Sequence, residues 1–170
     1  MAAELLVLRS LHILAGVFWV GGGIYSTVFV MPSLAVAGPA AGPIMAELQR
    51  RKLFTVLPLA ALITMLTGLR MLQIVSGGFD PAYFARPMGA TYLVAAIASV
   101  IGFLLAMFIS RPASVAAAQL AATIGGLEAS AQAAARERLK GLQQRAAWAT
   151  TGAVGLLVLA TLGMAVARYL

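Results

Sequence analysis

The chain has 170 residues, enough for one domain, and 62% of them are hydrophobic while only 10% are charged. Soluble domains run near roughly 45–50% apolar and about 25% charged, so the balance excludes an ordinary soluble fold and indicates an integral membrane protein. The net charge is +7 with no cysteine, which excludes disulfides, iron–sulfur clusters and thiolate zinc sites. Because the basic residues flank apolar runs, they read as membrane topology and lipid headgroup contact, not as a nucleic-acid surface.

A spanning helix needs about 20 apolar residues. The first run that qualifies covers 10–34 and contains LHILAGVFWVGGG, with His12 the only histidine in the chain. A histidine in hydrocarbon is costly and is therefore placed for a reason. Ala35-Val36-Ala37 resembles a signal cleavage site. The apolar run before it is far longer than a signal core of about 7–15 residues, so the segment is expected to stay as a span. Ala37-Gly38-Pro39 and Ala41-Gly42-Pro43 then read as a Gly/Pro turn.

The second span follows Arg50-Arg51-Lys52 and covers 53–74, and Gly77-Gly78-Phe79-Asp80-Pro81 closes it. The third covers 88–110, introduced by Arg86-Pro87, with Arg111-Pro112 marking its exit because proline disfavours helix in the residue before it. Residues 113–146 are too polar to span. Leu127, Ala131, Ala135, Leu139, Leu142 and Ala146 fall at three- and four-residue steps, and Gly125-Gly126 sits where a turn belongs. This predicts a cytoplasmic helical hairpin that extends spans three and four. The fourth span covers 147–167.

The fold class expected is all-α: a single transmembrane domain, an up-down four-helix bundle with that hairpin between helices three and four. Small residues supply the packing surfaces. They are Gly16 and Gly21-Gly22-Gly23 in span one, Ala95, Ser99, Ala98, Gly102 and Ala106 in span three, and Gly152, Gly155, Gly163 and Ala167 in span four. Pro32 and Pro58 are expected to bend their helices. Trp19 lies too deep for an interfacial belt and is expected inside the bundle, whereas Trp148 and Tyr169 suit the aromatic belts.

Eight of the basic residues fall on the side of the loop after span one and of the hairpin, and Arg9, Arg70, Arg86 and Arg168 fall on the other. By the positive-inside rule both termini face outward, on the periplasmic side of a bacterial inner membrane. His12 then lies about one turn below the outer surface, and the antiparallel second span returns Arg70 to that level. Thr64 and Thr67 lie deeper, with Met65 and Met71 beside them, and Tyr92 opens span three in the same layer. His12, Arg70, Thr67, Met71 and Tyr92 can converge there.

Imidazole is a common ligand for haem iron and transition metals, and thioether sulfur suits Cu(I). His12 with Met71 (or with Met65 or Met88) is thus a candidate metal site. Arg70 and Tyr92 are candidates to hold a cofactor through a haem propionate or a quinone carbonyl. The alternative is a histidine that hydrogen-bonds a neighbouring helix, an arginine that snorkels, and methionines that only fill space. Paired carboxylates within spans, a nucleophile triad and a phosphate loop are all missing from the sequence. An enzyme is therefore not the expectation.

The stretch LHILAGVFWVGGGIYSTVFVMPSL resembles the opening helix of the CopD-like membrane proteins, a superfamily that includes copper-resistance D domains and HemJ-type protoporphyrinogen oxidases. The matching positions are His12, Trp19, Gly21 with Gly22, and Pro32, and Thr67-Gly68-Leu69 is similar to the second-helix pattern. The resemblance covers spans one and two. It implies a compact bundle in which His12 is a haem b or copper ligand. The haem-binding members look to pair that histidine with a lysine near the start of a later helix. Here the region reads Arg86-Pro87-Met88-Gly89-Ala90-Thr91-Tyr92 without lysine, so porphyrinogen oxidation does not carry over. Two functions follow as expectations: a non-enzymatic accessory subunit of a larger, electron-transferring membrane complex in contact with partner subunits and the lipid bilayer, or a haem- or copper-binding protein using His12.

Overall fold

The computed structural model describes residues 2–170 (for Pro39, the backbone alone). Among these, all regular structure is helical. In order they are α1 (Ala2–Tyr25), a π-helical segment (Ser26–Val30), α2 (Met31–Val36), a 3-10 turn (Gly38–Ala40), α3 (Ala41–Arg50) and α4 (Leu53–Val75). Then follow α5 (Pro81–Phe84), α6 (Pro87–Leu105), a second π-helical segment (Ala106–Ser110), α7 (Arg111–Thr123), a 3-10 turn (Ile124–Gly126), α8 (Ala129–Val166) and a last 3-10 turn (Ala167–Tyr169). Four continuous helices are long and apolar enough to cross a membrane: Ala2–Val36, Leu53–Val75, Pro87–Gly126 and Ala129–Tyr169.

Burial is inverted relative to a soluble protein. The buried apolar residues are mostly alanines, while Leu14 and Phe108 are each 70% exposed. No described large side chain is fully buried. Such a surface is stable only where the surrounding solvent is itself apolar, as lipid is, and helices keep every backbone group paired there.

The first helix begins at Ala2, earlier than the span expected from residue 10. Ala2-Ala3-Glu4-Leu5-Leu6 are good helix formers, and Glu4 in the first turn complements the positive end of the helix dipole. The expected turn after span one is shorter than predicted. Gly38 takes a positive φ of 57°. The second Gly-Pro pair falls inside the first turn of α3, where proline's missing donor has no partner to lose. At the far end of α3, Glu47 Oε1 and Oε2 accept hydrogen bonds from Arg50, and Oε1 also accepts one from Arg51 Nε at 2.7 Å.

Arg111-Pro112 does not end span three; the helix passes straight through it. The second π-helical segment immediately precedes it, and the Arg111 N–H bonds the Ala106 carbonyl five residues back. An interior proline clashes with the carbonyl four residues earlier and cannot bond it. A wider π turn moves that carbonyl aside and lets the helix continue. The same construction precedes Pro32, with Met31 N–H bonded to the Ser26 carbonyl. Pro58 has no such segment, and α4 runs through it as α-helix.

The chain forms two compact units. One holds the chain up to Val100 together with Leu157–Leu170, and the other holds Ile101–Leu156. In the first, α1 and α4 pack as an antiparallel pair: Gly22 faces Leu57, Gly16 faces Thr64 and His12 faces Gly68. Trp19 is buried, as expected. A Cβ added at Gly163 would lie 3.3 Å from the Ala95 Cβ, so these two small residues meet as the sequence suggested. Gly21 and Gly155 have nothing within 4 Å of an added Cβ and are not packing residues. Both turn away from the faces that carry the contacts.

In the second unit, Ser110 and Thr150 hydroxyls share a hydrogen bond, and Ala113, Ala117, Ala149 and Ala153 are buried. The apolar stripe expected along residues 127–146 is half-buried at Ala135, Leu139, Leu142 and Ala146, but at its start Gln132 replaces Ala131. The helix breaks where Gly125-Gly126 predicted, in the 3-10 turn before an extended Leu127.

Two outcomes test this account. Pro112→Ala restores a donor and removes the ring clash, so amide exchange across 108–112 should slow by about tenfold or more as the π turn gives way to α-helix. The second concerns α3. The Arg50 and Arg51 guanidiniums hold the Glu47 carboxyl below its ordinary range. Its support of the helix end is therefore present above the ordinary carboxylate range and is lost as pH falls through the depressed value. Amide protection at residues 47–52, taken relative to the intrinsic exchange rate at each pH, should fall on acidification, and Glu47→Gln should remove that dependence.

Candidate functional site at the His12 seam

α4 turns a face of small side chains toward α1: Ala60, Ala61, Thr64 and Thr67 are all buried. These fall at three- and four-residue steps, the spacing of one helical face. Thr64 Oγ1 donates to the Ala60 carbonyl at 2.8 Å and Thr67 Oγ1 to the Ile63 carbonyl at 2.6 Å. Both hydroxyls are thus satisfied within their own helix, and the seam carries no unpaired donor.

His12 lies on this face. Its Nδ1 stands 2.8 Å from the Thr64 carbonyl oxygen and 3.3 Å from Thr67 Oγ1. A carbonyl only accepts, so Nδ1 carries the hydrogen and donates it. In the neutral ring that leaves the lone pair on Nε2, which hydrogen-bonds no described residue. Metal-ligating histidines are oriented in this way, by donating the other ring N–H to a carbonyl or carboxylate. Gly68 makes the geometry fit. A Cβ there would sit 2.7 Å from His12 Cε1 and 3.1 Å from Nδ1, so only glycine lets the ring lie flat against α4.

Arg70, two residues further along α4, makes different contacts from those expected. Its Nε and Nη2 donate to Glu4 Oε1 at 2.9 and 2.6 Å, and its Nη1 donates to Gln73 Oε1 at 3.0 Å. Glu4 precedes the apolar run of span one, so spacing along the chain gives no sign of this contact. It lies in the first turn of α1, and the antiparallel register of α1 and α4 brings it to Arg70. The pair is about half exposed, so it contributes on the order of 0–1 kcal/mol and mainly fixes the ends of the two helices.

Tyr92 stands near Tyr83 of α5. Burial, and then the charge of Tyr92, push the Tyr83 hydroxyl above its ordinary range. The α5–α6 junction is tight: a Cβ at Gly89 would overlap the Tyr83 carbonyl oxygen. Among the described residues no hydrogen bond or ion pair joins Tyr92 or Met71 to His12, and no three His, Cys, Asp or Glu gather as a metal-binding group. The seam thus brings His12, Thr64 and Thr67 together, while Arg70 is engaged by Glu4 and Gln73.

No family model, no curated protein and no solved structure matches the chain.

Substitutions at the glycines should rank in order. Gly68→Ala pushes the His12 ring off α4 and should lower the Tm in mild detergent. Gly22→Ala meets only the flexible end of Leu57, at 2.6 Å from Cδ2, and should cost less. Gly21→Ala meets nothing and should be neutral or stabilising, by up to about 1 kcal/mol from helix propensity.

Proposed function

We propose that this chain is a non-enzymatic subunit of a larger, electron-transferring membrane assembly, to which His12 lends one ligand. The reading is carried by a single oriented imidazole with Nε2 uncommitted, in a chain with one histidine and no cysteine. A haem iron held by two imidazoles, or a copper ion held by several, must take its remaining strong ligands from another chain. The first-helix resemblance to CopD-like proteins supports the same role for His12. In this reading the four spans run up and down as a bundle in a bacterial inner membrane. Residues 113–146 form a cytoplasmic helical hairpin, and both termini face the periplasm.

The second reading is a haem b or copper protein that is complete within this chain, with Met71 or another methionine as the further ligand. The Nδ1 bond to Thr64 favours a ligand role in both readings. When bound, haem would supply one-electron transfer. The chain's own share is to hold the ring by Thr64, to leave Nε2 open, and to keep the surroundings apolar.

Gentle isolation of the tagged chain from its native membrane, with an absorption spectrum and metal analysis, separates them. The proposal expects partner subunits to co-purify with a Soret band or copper that His12→Ala abolishes, and the chain purified alone to hold neither. Stoichiometric haem or copper on the lone chain would establish the second reading. Absence of cofactor and partners together would overturn both.

A further inference from the structure

The cations of the chain are not equivalent. Arg50 and Arg51 are both bound by Glu47, and Arg70 is bound by Glu4. In the unit Ile101–Leu156, Arg136 donates to Gln132 and Lys140 stands 4.0 Å from Glu137. The side chains of Arg111, Arg138 and Arg145 have no ion pair or hydrogen bond to a described residue, and all three are exposed.

The Ser110–Thr150 hydrogen bond ties the start of α7 to α8, which sets Arg111 level with the stretch of α8 near Thr150. Trp148, 56% exposed, belongs to that same level. An exposed tryptophan at the end of an apolar span marks the interface between hydrocarbon and headgroups. Arg145 lies three residues further on, roughly 4.5 Å along the helix axis. A headgroup layer is about 5–7 Å deep on each side of the hydrocarbon core, so the guanidiniums of Arg111 and Arg145 both fall within it. On the apolar side of Arg111 stand Met107 and Phe108; beside it, with Pro112, Val115, Ala116 and Gln119, opens a shallow hollow of about 340 Å³.

We propose that Arg111 and Arg145, with Trp148, form a binding surface for anionic phospholipid headgroups. A guanidinium presents paired donors that match phosphate oxygens, and here no carboxylate competes for them. Arg136, Arg138 and Lys140 lie further out on α8 and add a net positive field over about a Debye length of 10 Å, which draws anionic lipid toward the pair. The uncharged flank of Met107 and Phe108 receives the acyl chains. This surface is independent of the His12 seam.

Brominated acyl chains quench an exposed tryptophan, so Trp148 reports its own lipid neighbours. The full chain is reconstituted in bilayers of phosphatidylcholine with increasing phosphatidylglycerol, one or the other brominated, and a Trp148→Phe sample subtracts the Trp19 signal. Each surface cation contributes about a fivefold preference for anionic lipid before screening. Wild type should therefore favour phosphatidylglycerol by about tenfold, and added salt should weaken the preference. Arg111→Gln with Arg145→Gln should bring it near unity. Arg111→Lys with Arg145→Lys should retain most of it. Arg9→Gln with Arg86→Gln, at the other end of the spans, should leave it unchanged, with helicity checking that each variant folds. No preference in wild type, an equal loss in the Arg9/Arg86 variant, or displacement by inorganic phosphate alone would overturn the proposal.

Discussion

Close approach of α1 and α4 is the constraint on which the first unit depends. In a bilayer, lipid solvates leucine as well as another leucine does, so helices gain little by burying large apolar side chains against each other. Contact must come from backbones that approach closely. α4 provides Ala60, Ala61, Thr64 and Gly68 along one face, and α1 answers with Gly16 and Gly22. The threonines fold their hydroxyls back onto their own helix, so they act as small residues without leaving a polar atom unpaired. His12 is a product of this packing. Gly68 gives the ring its space and the Thr64 carbonyl gives it a partner, and together they fix which nitrogen faces away from α4.

The two π-helical segments solve a second problem of the same solvent. A proline inside a spanning helix leaves a carbonyl unpaired where no water can reach it. Before Pro32 and again before Pro112, one widened turn re-pairs the backbone with a bond five residues back. Both helices therefore continue past their prolines, and the third reaches well beyond the length a hydrocarbon core of about 30 Å requires. The fourth is longer still, with 41 residues from Ala129 to Tyr169, roughly 60 Å of helix.

Charge is divided by whether a carboxylate answers it. Glu4 and Glu47 take up Arg70, Arg50 and Arg51 at helix ends. The side chains of Arg111 and Arg145 have no such partner, nor has Arg138; what sets Arg111 and Arg145 apart is their place beside the Ser110–Thr150 bond and the exposed Trp148.

The sequence by itself determined the solvent and the elements. Apolar runs of spanning length, with glycine, proline and arginine at their ends, mark four membrane-length helices. The break at Gly125-Gly126 was legible because glycine ends helices for local reasons. Local rules misjudged Arg111-Pro112, since proline's effect on a helix depends on whether the turn before it can widen. The helix of span one also extends back to Ala2, ahead of the apolar run from residue 10, because Ala2-Ala3-Glu4-Leu5-Leu6 are good helix formers. Tertiary structure alone decided the site. His12 stood out as the one histidine, but its tautomer is set by a carbonyl 52 residues away, and Arg70's partner is 66 residues away. Such pairings follow from the register of α1 on α4, and register is chosen by how small residues interlock across the seam, which spacing along one helix does not encode.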